Sequence, residues 1–191
     1  MRLNRSSDFR GAMVPHAGTL LLAHPELMDP NFYHTVVLLS AYSRDEGSVG
    51  VIVNRPLGKS LGEYDPKLLA STLSSVPLYS GGPVATDQLI LVAWRWCAEE
   101  SAFKLYFGID AERAERILEN DPEFKLYGFL GHAGWTGGQL EAELSGNSWV
   151  MSGALPMLAN AESGINWHEL LCDERPELRL LADAPEDPSL N

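Results

Sequence analysis

The chain has 191 residues, 45% of them apolar, and carries 26 Asp and Glu against 14 Lys and Arg, a formal net charge of −12. That length suits one domain whose core needs no disulfide or metal staple. The charge argues against nucleic-acid binding, which needs cations to displace phosphate counterions, and no apolar stretch is long enough to cross a bilayer.

In chain order, residues 1–17 hold three arginines but lack the apolar core of a signal peptide, so an N-terminal arm is expected there. "GTLLLAH" (18–24), "TVVLLSAYS" (35–43) and "GSVGVIVNRP" (47–56) predict strands, the last two joined as a hairpin across Arg44–Gly47. These runs are apolar on nearly every residue, which predicts strands covered on both faces. Residues 57–78 are mixed, with a short helix expected around Lys67–Leu73. "DQLILVAWRW" (87–96) and "FKLYFGI" (103–109) predict a further strand pair. The spacing of "DAERAERILEN" predicts a helix capped by Asp110 and stopped at Asp121–Pro122. A strand over 124–131, one over 148–155 and a helix over 165–173 follow. An acidic, proline-rich tail closes the chain, so the expected domain runs from 18 to 180 with the tail over 181–191. Strands and helices intermix without a regular βαβ cadence, which predicts an α+β fold. Cys97 and Cys172 lie far apart, form no CxxC, and are expected as reduced thiols of a cytoplasmic protein.

The densest signal is "GHAGWTGGQLEAEL" (131–144). With Thr136 as N-cap, Gln139 falls at N3 to complete a capping box, and Trp135 and Leu140 occupy the positions of a hydrophobic staple. Gly137 and Gly138 then fall at N1 and N2, where each costs up to ~1 kcal/mol against alanine. Glycine persists there when the chain turns sharply or another group approaches the backbone. A helix start can bind anions, but no Lys or Arg occurs between Lys125 and Arg175 and no phosphate-loop motif is present. A tight structural corner, a carboxylate or peptide contact and a phosphate cradle all remain open, the corner being favoured.

The order of motifs adds a resemblance. "GTLLLAHPELMDPNFYHTVVLLSAYSRDEGSVGVIVNRPLG", then "YSGGPV", then "GFLGHAGWTGGQLEAELSGNSW" is similar to the YqgE/AlgH family of bacterial proteins. The matches at Asn54–Arg55–Pro56, Gly81–Gly82–Pro83 and Gly134–Trp135 with Gly138–Gln139–Leu140–Glu141 carry it. The resemblance implies a single α+β domain with a barrel-like, bifurcated, mostly antiparallel sheet flanked by helices. It implies no catalytic set, and one branch of the family is linked to transcriptional control of exopolysaccharide synthesis. His132, where tyrosine is frequent, and Ala41–Tyr42–Ser43 depart from the common pattern.

Three readings of function follow. The first is a non-enzymatic cytoplasmic domain that binds a protein or small anionic ligand near Asn54, Arg55, Gly81, Gly82, Pro83, His132, Gly134, Trp135, Gly137, Gly138, Gln139 and Glu141. The second is a small hydrolase or transferase in which His132 or Glu141 moves protons while Arg55 holds an anion. Against it, Arg55 is expected to pair with Glu141 or another carboxylate, and the His132 ring to donate to a backbone carbonyl. The third, a regulator acting directly on DNA, lacks a helix-turn-helix with a basic face. The five histidines form no HxH or HExxH pattern, so no metal and no cofactor is called for.

Overall fold

The computed structural model describes residues 14–153, 155–160 and 164–184. β1 (Leu20–Ala23), β2 (Val36–Ser43) and β3 (Gly47–Ile52) are antiparallel neighbours, and the 44–47 segment turns between the last two. β4 (Pro56–Ser60) leads through a short α1 (Leu61–Tyr64) to β5 (Pro77–Ser80). β6 (Val84–Cys97) and β7 (Ala102–Ile109) form a long hairpin followed by α2 (Ala111–Asn120). Then come β8 (Lys125–Trp135), α3 (Gln139–Ser145), β9 (Trp149–Ser152), α4 (Leu155–Asn160), α5 (Trp167–Glu174) and α6 (Arg179–Ala182).

β8 is where the sheet divides. Its first half lies between β5, its parallel partner, and β6; its last residues pair with β3. One leaf therefore runs β8-β3-β2-β1-β9 and the other carries β4, β5, β6 and β7. The result is the expected α+β architecture, a mixed sheet curled into a half-barrel with helices against it.

The continuous apolar runs are explained by period-2 alternation between two cores. Leu20, Leu22, Val36, Leu38, Val51 and Val53 face one cluster, which also contains Trp94, Phe129, Leu158 and Trp167. Their chain neighbours Leu21, Ala23, Val37, Leu39 and Ile52 face another, with Trp135, Leu140 and Trp149. A third cluster beneath α2 holds Leu61, Leu78, Leu91, Ala114 and Phe124. Asp110 caps α2 by accepting from the Arg113 amide at 2.7 Å, as its sequence predicts.

Three expectations need correction. Residues 57–78 begin with strand β4, and a 3₁₀ turn over 66–68 takes the place of the helix expected around Lys67–Leu73. The strand expected to reach 155 stops at Ser152, and α4 follows. Helix α3 starts at Gln139, not Gly137, because Gly138 adopts the left-handed conformation (φ 76°) that a continuing helix forbids. Most of the expected N-terminal arm and acidic tail lies outside the described residues, and the first two residues of that tail belong to α6.

Candidate functional site

The glycine corner is built by two turns that interlock. A Cβ placed on Gly137 would sit 2.2 Å from the Asp45 carbonyl oxygen, and one on Gly47 would sit 2.3 Å from that of Trp135. Gly138 donates its amide to the Arg44 carbonyl at 2.8 Å. The group that approaches the bare backbone is therefore the β2–β3 turn of the same chain. Gly81 and Gly82 make an equivalent contact: added Cβ atoms would lie 2.3 Å from the Gly131 oxygen and from the His132 carbonyl. Pro83 beside them is exposed, and nothing crowds Gly134 closer than the His132 ring at 3.9 Å.

Only half of the capping box forms. Gln139 Oε1 accepts from the Thr136 amide at 3.0 Å, but the Thr136 hydroxyl donates to that same oxygen instead of accepting from the helix. What anchors the corner instead is Glu143. Its Oε2 accepts from the indole N–H groups of Trp135 (2.8 Å) and Trp149 (2.7 Å), and its Oε1 from Gln139 Nε2 (2.9 Å). Phe32 packs on both indoles, with centroids at 6.3 and 5.5 Å. The charge-assisted bonds satisfy two donors that burial would otherwise leave costly.

The residues of the acid–base reading separate. Arg55 donates to the backbone carbonyls of Asn31 (2.8 Å), Tyr33 (3.1 Å) and Pro30 (3.4 Å), where its planar fork meets a converging turn. Among the described residues no carboxylate pairs with it. Glu141 accepts instead from the Tyr42 hydroxyl at 2.7 Å, and this bond holds its carboxyl below the usual carboxylate range while raising the phenol. Tyr42 pairs with Ser48 at the start of β3, whereas Arg55 follows the end of that strand. His132 sits opposite Val84 with a buried Nδ1 that has no partner, contrary to the carbonyl contact expected for it.

A different place gathers side chains that sequence spacing leaves scattered. A cleft runs between the inner face of the sheet and the segment leading into α5. Its inner part, about 280 Å³, is lined by Val53, Pro77, Tyr79, Trp94, Tyr127 and Leu158, with Gly164 and Ile165 at the lip. An outer part of about 380 Å³ shares Tyr79, Gly164 and Ile165 and extends to Asn54, Pro56, Asn166 and Trp167. Tyr127 stacks on Trp94 with centroids 4.3 Å apart, and Tyr79 meets Tyr127 edge-on at 5.7 Å. Burial raises both phenols, Tyr127 to about 12, so each remains a neutral hydroxyl. Trp94 is 1% exposed, and its indole N–H finds no acceptor.

The outer wall explains Asn54. Its side chain accepts from the Val36 amide and donates to the His34 carbonyl, both at 2.9 Å. His34, held at φ 53°, lies between the rings of Tyr33 and Trp167 at 3.7 and 3.8 Å. Trp167 is fixed in turn by its N–H bond to the Ala23 carbonyl at 2.8 Å. Asn54 and Arg55 thus hold the 30–36 turn that supports Trp167, and Asn54 itself lines the cleft.

Comparison with known proteins agrees with this architecture. The sequence model described as AlgH-like matches residues 20–178. The chain belongs to the AlgH-like family. A protein of Nocardia farcinica termed UPF0301 is 36% identical, over 95% of this chain and 88% of its own length. A UPF0301 protein of Chlorobium luteolum is 33% identical over 92% and 94%. The solution structure of the AlgH protein from Pseudomonas aeruginosa superposes with a TM-score of 0.62 at 27% identity, covering 90% of this chain and 95% of that one. A crystal structure of a Corynebacterium diphtheriae protein shares the fold, with a TM-score of 0.68 at 21% identity over 90% and 94%. Among the described residues, no helix is long and apolar enough to cross a membrane, and no group of three His, Cys, Asp or Glu could hold a metal ion.

Proposed function

We propose that this AlgH-like chain is a non-enzymatic cytoplasmic binding domain whose ligand seat is the aromatic cleft beneath α5, with any regulatory role exerted through that occupancy. The observation that carries the reading is the cleft itself, a concave space of about 280 Å³ walled by Tyr79, Trp94 and Tyr127. Cavities with mostly apolar walls and a few polar groups are the usual form of small-molecule sites. Arg55 and Glu141, bonded to different partners toward opposite ends of β3, make a poor acid–base pair. The free cysteines Cys97 and Cys172 suit a reducing compartment.

Native mass spectrometry of protein purified without additives, before and after equilibration with a small-molecule extract, tests the reading. A bound species of low mass is expected on the wild type and its loss on Ile165→Trp, which fills the lip. An adduct unaffected by that change, or no adduct in either sample, overturns it.

A further inference from the structure

The β6–β7 hairpin leaves one edge of the sheet open, and a groove runs beside that edge. We infer that β7 takes up an extended segment of another protein as an added strand, and that this segment carries carboxylates at every second residue. The aromatic cleft shares no lining residue with this surface, so the two readings stand or fall separately.

Backbone chemistry is the first reason. Among the described residues β7 pairs with β6 alone, and no described loop or side chain hydrogen-bonds to its outer N–H and C=O groups. A strand edge with free donors and acceptors is a template for another strand. The left-handed Gly108 (φ 66°) and the register shift opposite Leu91 and Val92 end the regular edge, so residues 102–107 are the part that can pair.

Side-chain alternation is the second. Phe103, Leu105 and Phe107 pack against the cluster around Trp94, whereas Tyr106 packs in the cluster beneath α2. Lys104 and Tyr106 form one wall of a groove of about 440 Å³, and Arg113, Arg116, Ile117 and Phe124 line it further. All of the chain from β6 to β9 is described, and the groove is built within it. An added strand places every other side chain beside Lys104 and Tyr106, over this groove, and the rest beside Phe103, Leu105 and Phe107.

Charge is the third. Arg113 lies over the Tyr106 ring at 5.4 Å and makes no ion pair among the described residues. Lys104 and Arg116 reach only the exposed carboxylates of Glu100 (3.2 Å) and Glu112, i,i+4 pairs that are weak in water. Asp121, the acid in the groove wall, is already bonded to Arg95 at 2.6 Å. Carboxylates on alternate residues of an incoming strand therefore meet three cations. A second copy of β7 would bring the same cations onto that face again, which like-charge repulsion opposes.

A peptide alternating valine and glutamate is the probe, titrated into the full chain. Binding is followed through backbone amides in ¹H–¹⁵N spectra and by fluorescence polarisation of a labelled copy. The largest shifts are expected at residues 102–107. Arg113→Ala should weaken binding about 2- to 5-fold, the span of one exposed charge pair. Arg113→Glu combined with Lys104→Glu should turn the preference toward a peptide alternating valine and lysine. Methylating the backbone nitrogens of the glutamate peptide should abolish binding, since that removes the N–H groups while keeping every charge. Undiminished binding of the methylated peptide, a wild-type preference for the lysine peptide, or shifts centred away from β7 and α2 overturn the proposal. So does the absence of binding by any peptide. Shifts of the 102–107 amides on concentrating the protein alone would assign the edge to a second copy and overturn it equally.

Discussion

The glycine corner and the aromatic cleft use buried tryptophan in opposite ways. At the corner, the N–H groups of Trp135 and Trp149 both end on one Glu143 oxygen, and the glycines around them are filled by the backbone of the 44–47 turn. Trp94, whose ring lines the cleft, has a buried N–H that ends on nothing, and among the described residues a space lies beside that ring. A region whose indole donors have internal partners and whose glycine gaps are closed by backbone is frame; one that leaves a volume beside its rings has capacity for something else. Density of glycine in the sequence therefore marks close packing here, and dispersed aromatic residues mark the opening.

The contrast can be broken by mutation, beginning at the corner. Trp135→Ala should cost about 3–5 kcal/mol of stability in urea unfolding, since it removes a 6%-exposed indole from the core with Leu140 and Trp149. Gly47→Ala should cost about 3 kcal/mol, because the new Cβ meets the Trp135 oxygen and φ 108° is a conformation alanine avoids. If it is tolerated, the corner is looser than its geometry. Glu143→Ala should cost about 2–3 kcal/mol by stranding two indole donors at once. By contrast, Trp94→Phe loses buried ring volume but strands no donor, so it should cost only about 1 kcal/mol. A loss of stability as large as that of Glu143→Ala would erase the distinction between the two regions.

The smallest expected effect sharpens the account of α3. The Tyr42 hydroxyl holds the Glu141 carboxyl below its ordinary value. Its stabilising contribution is therefore present above the unfolded carboxylate value, and is lost as pH falls through the lowered folded one. Tyr42→Phe should flatten that part of the stability–pH curve by lowering stability slightly at neutral pH while leaving the acid end nearly unchanged, as measured by thermal melts between pH 7 and pH 3.

The sequence makes the frame legible where its cause is local. The doubly covered strands follow from unbroken apolar runs in β1–β3, and α2 from Asp110, its apolar stripe and Pro122. Motif order identifies the family. Less is legible wherever a partner comes from far along the chain. Thr136 and Gln139 have capping-box spacing, yet the β2–β3 turn takes the amide of Gly138 and delays the helix to Gln139. Arg55 and Glu141 look complementary as a pair of opposite charges, but the turn at 30–33 and Tyr42 lie nearer to each.

Composition, periodicity and capping residues thus determined the class of fold, the double burial of its strands and the closeness of packing around the glycines. Those are properties of neighbours within a few residues or of a chain's total apolar surface. Only the folded sheet decided that Tyr79, Trp94 and Tyr127 face one space with Leu158 and Ile165, because strand register and the branching at β8 set which alternate residues converge. Whether the Trp94 N–H has a partner likewise depends on every surface brought against it, a condition no single segment encodes.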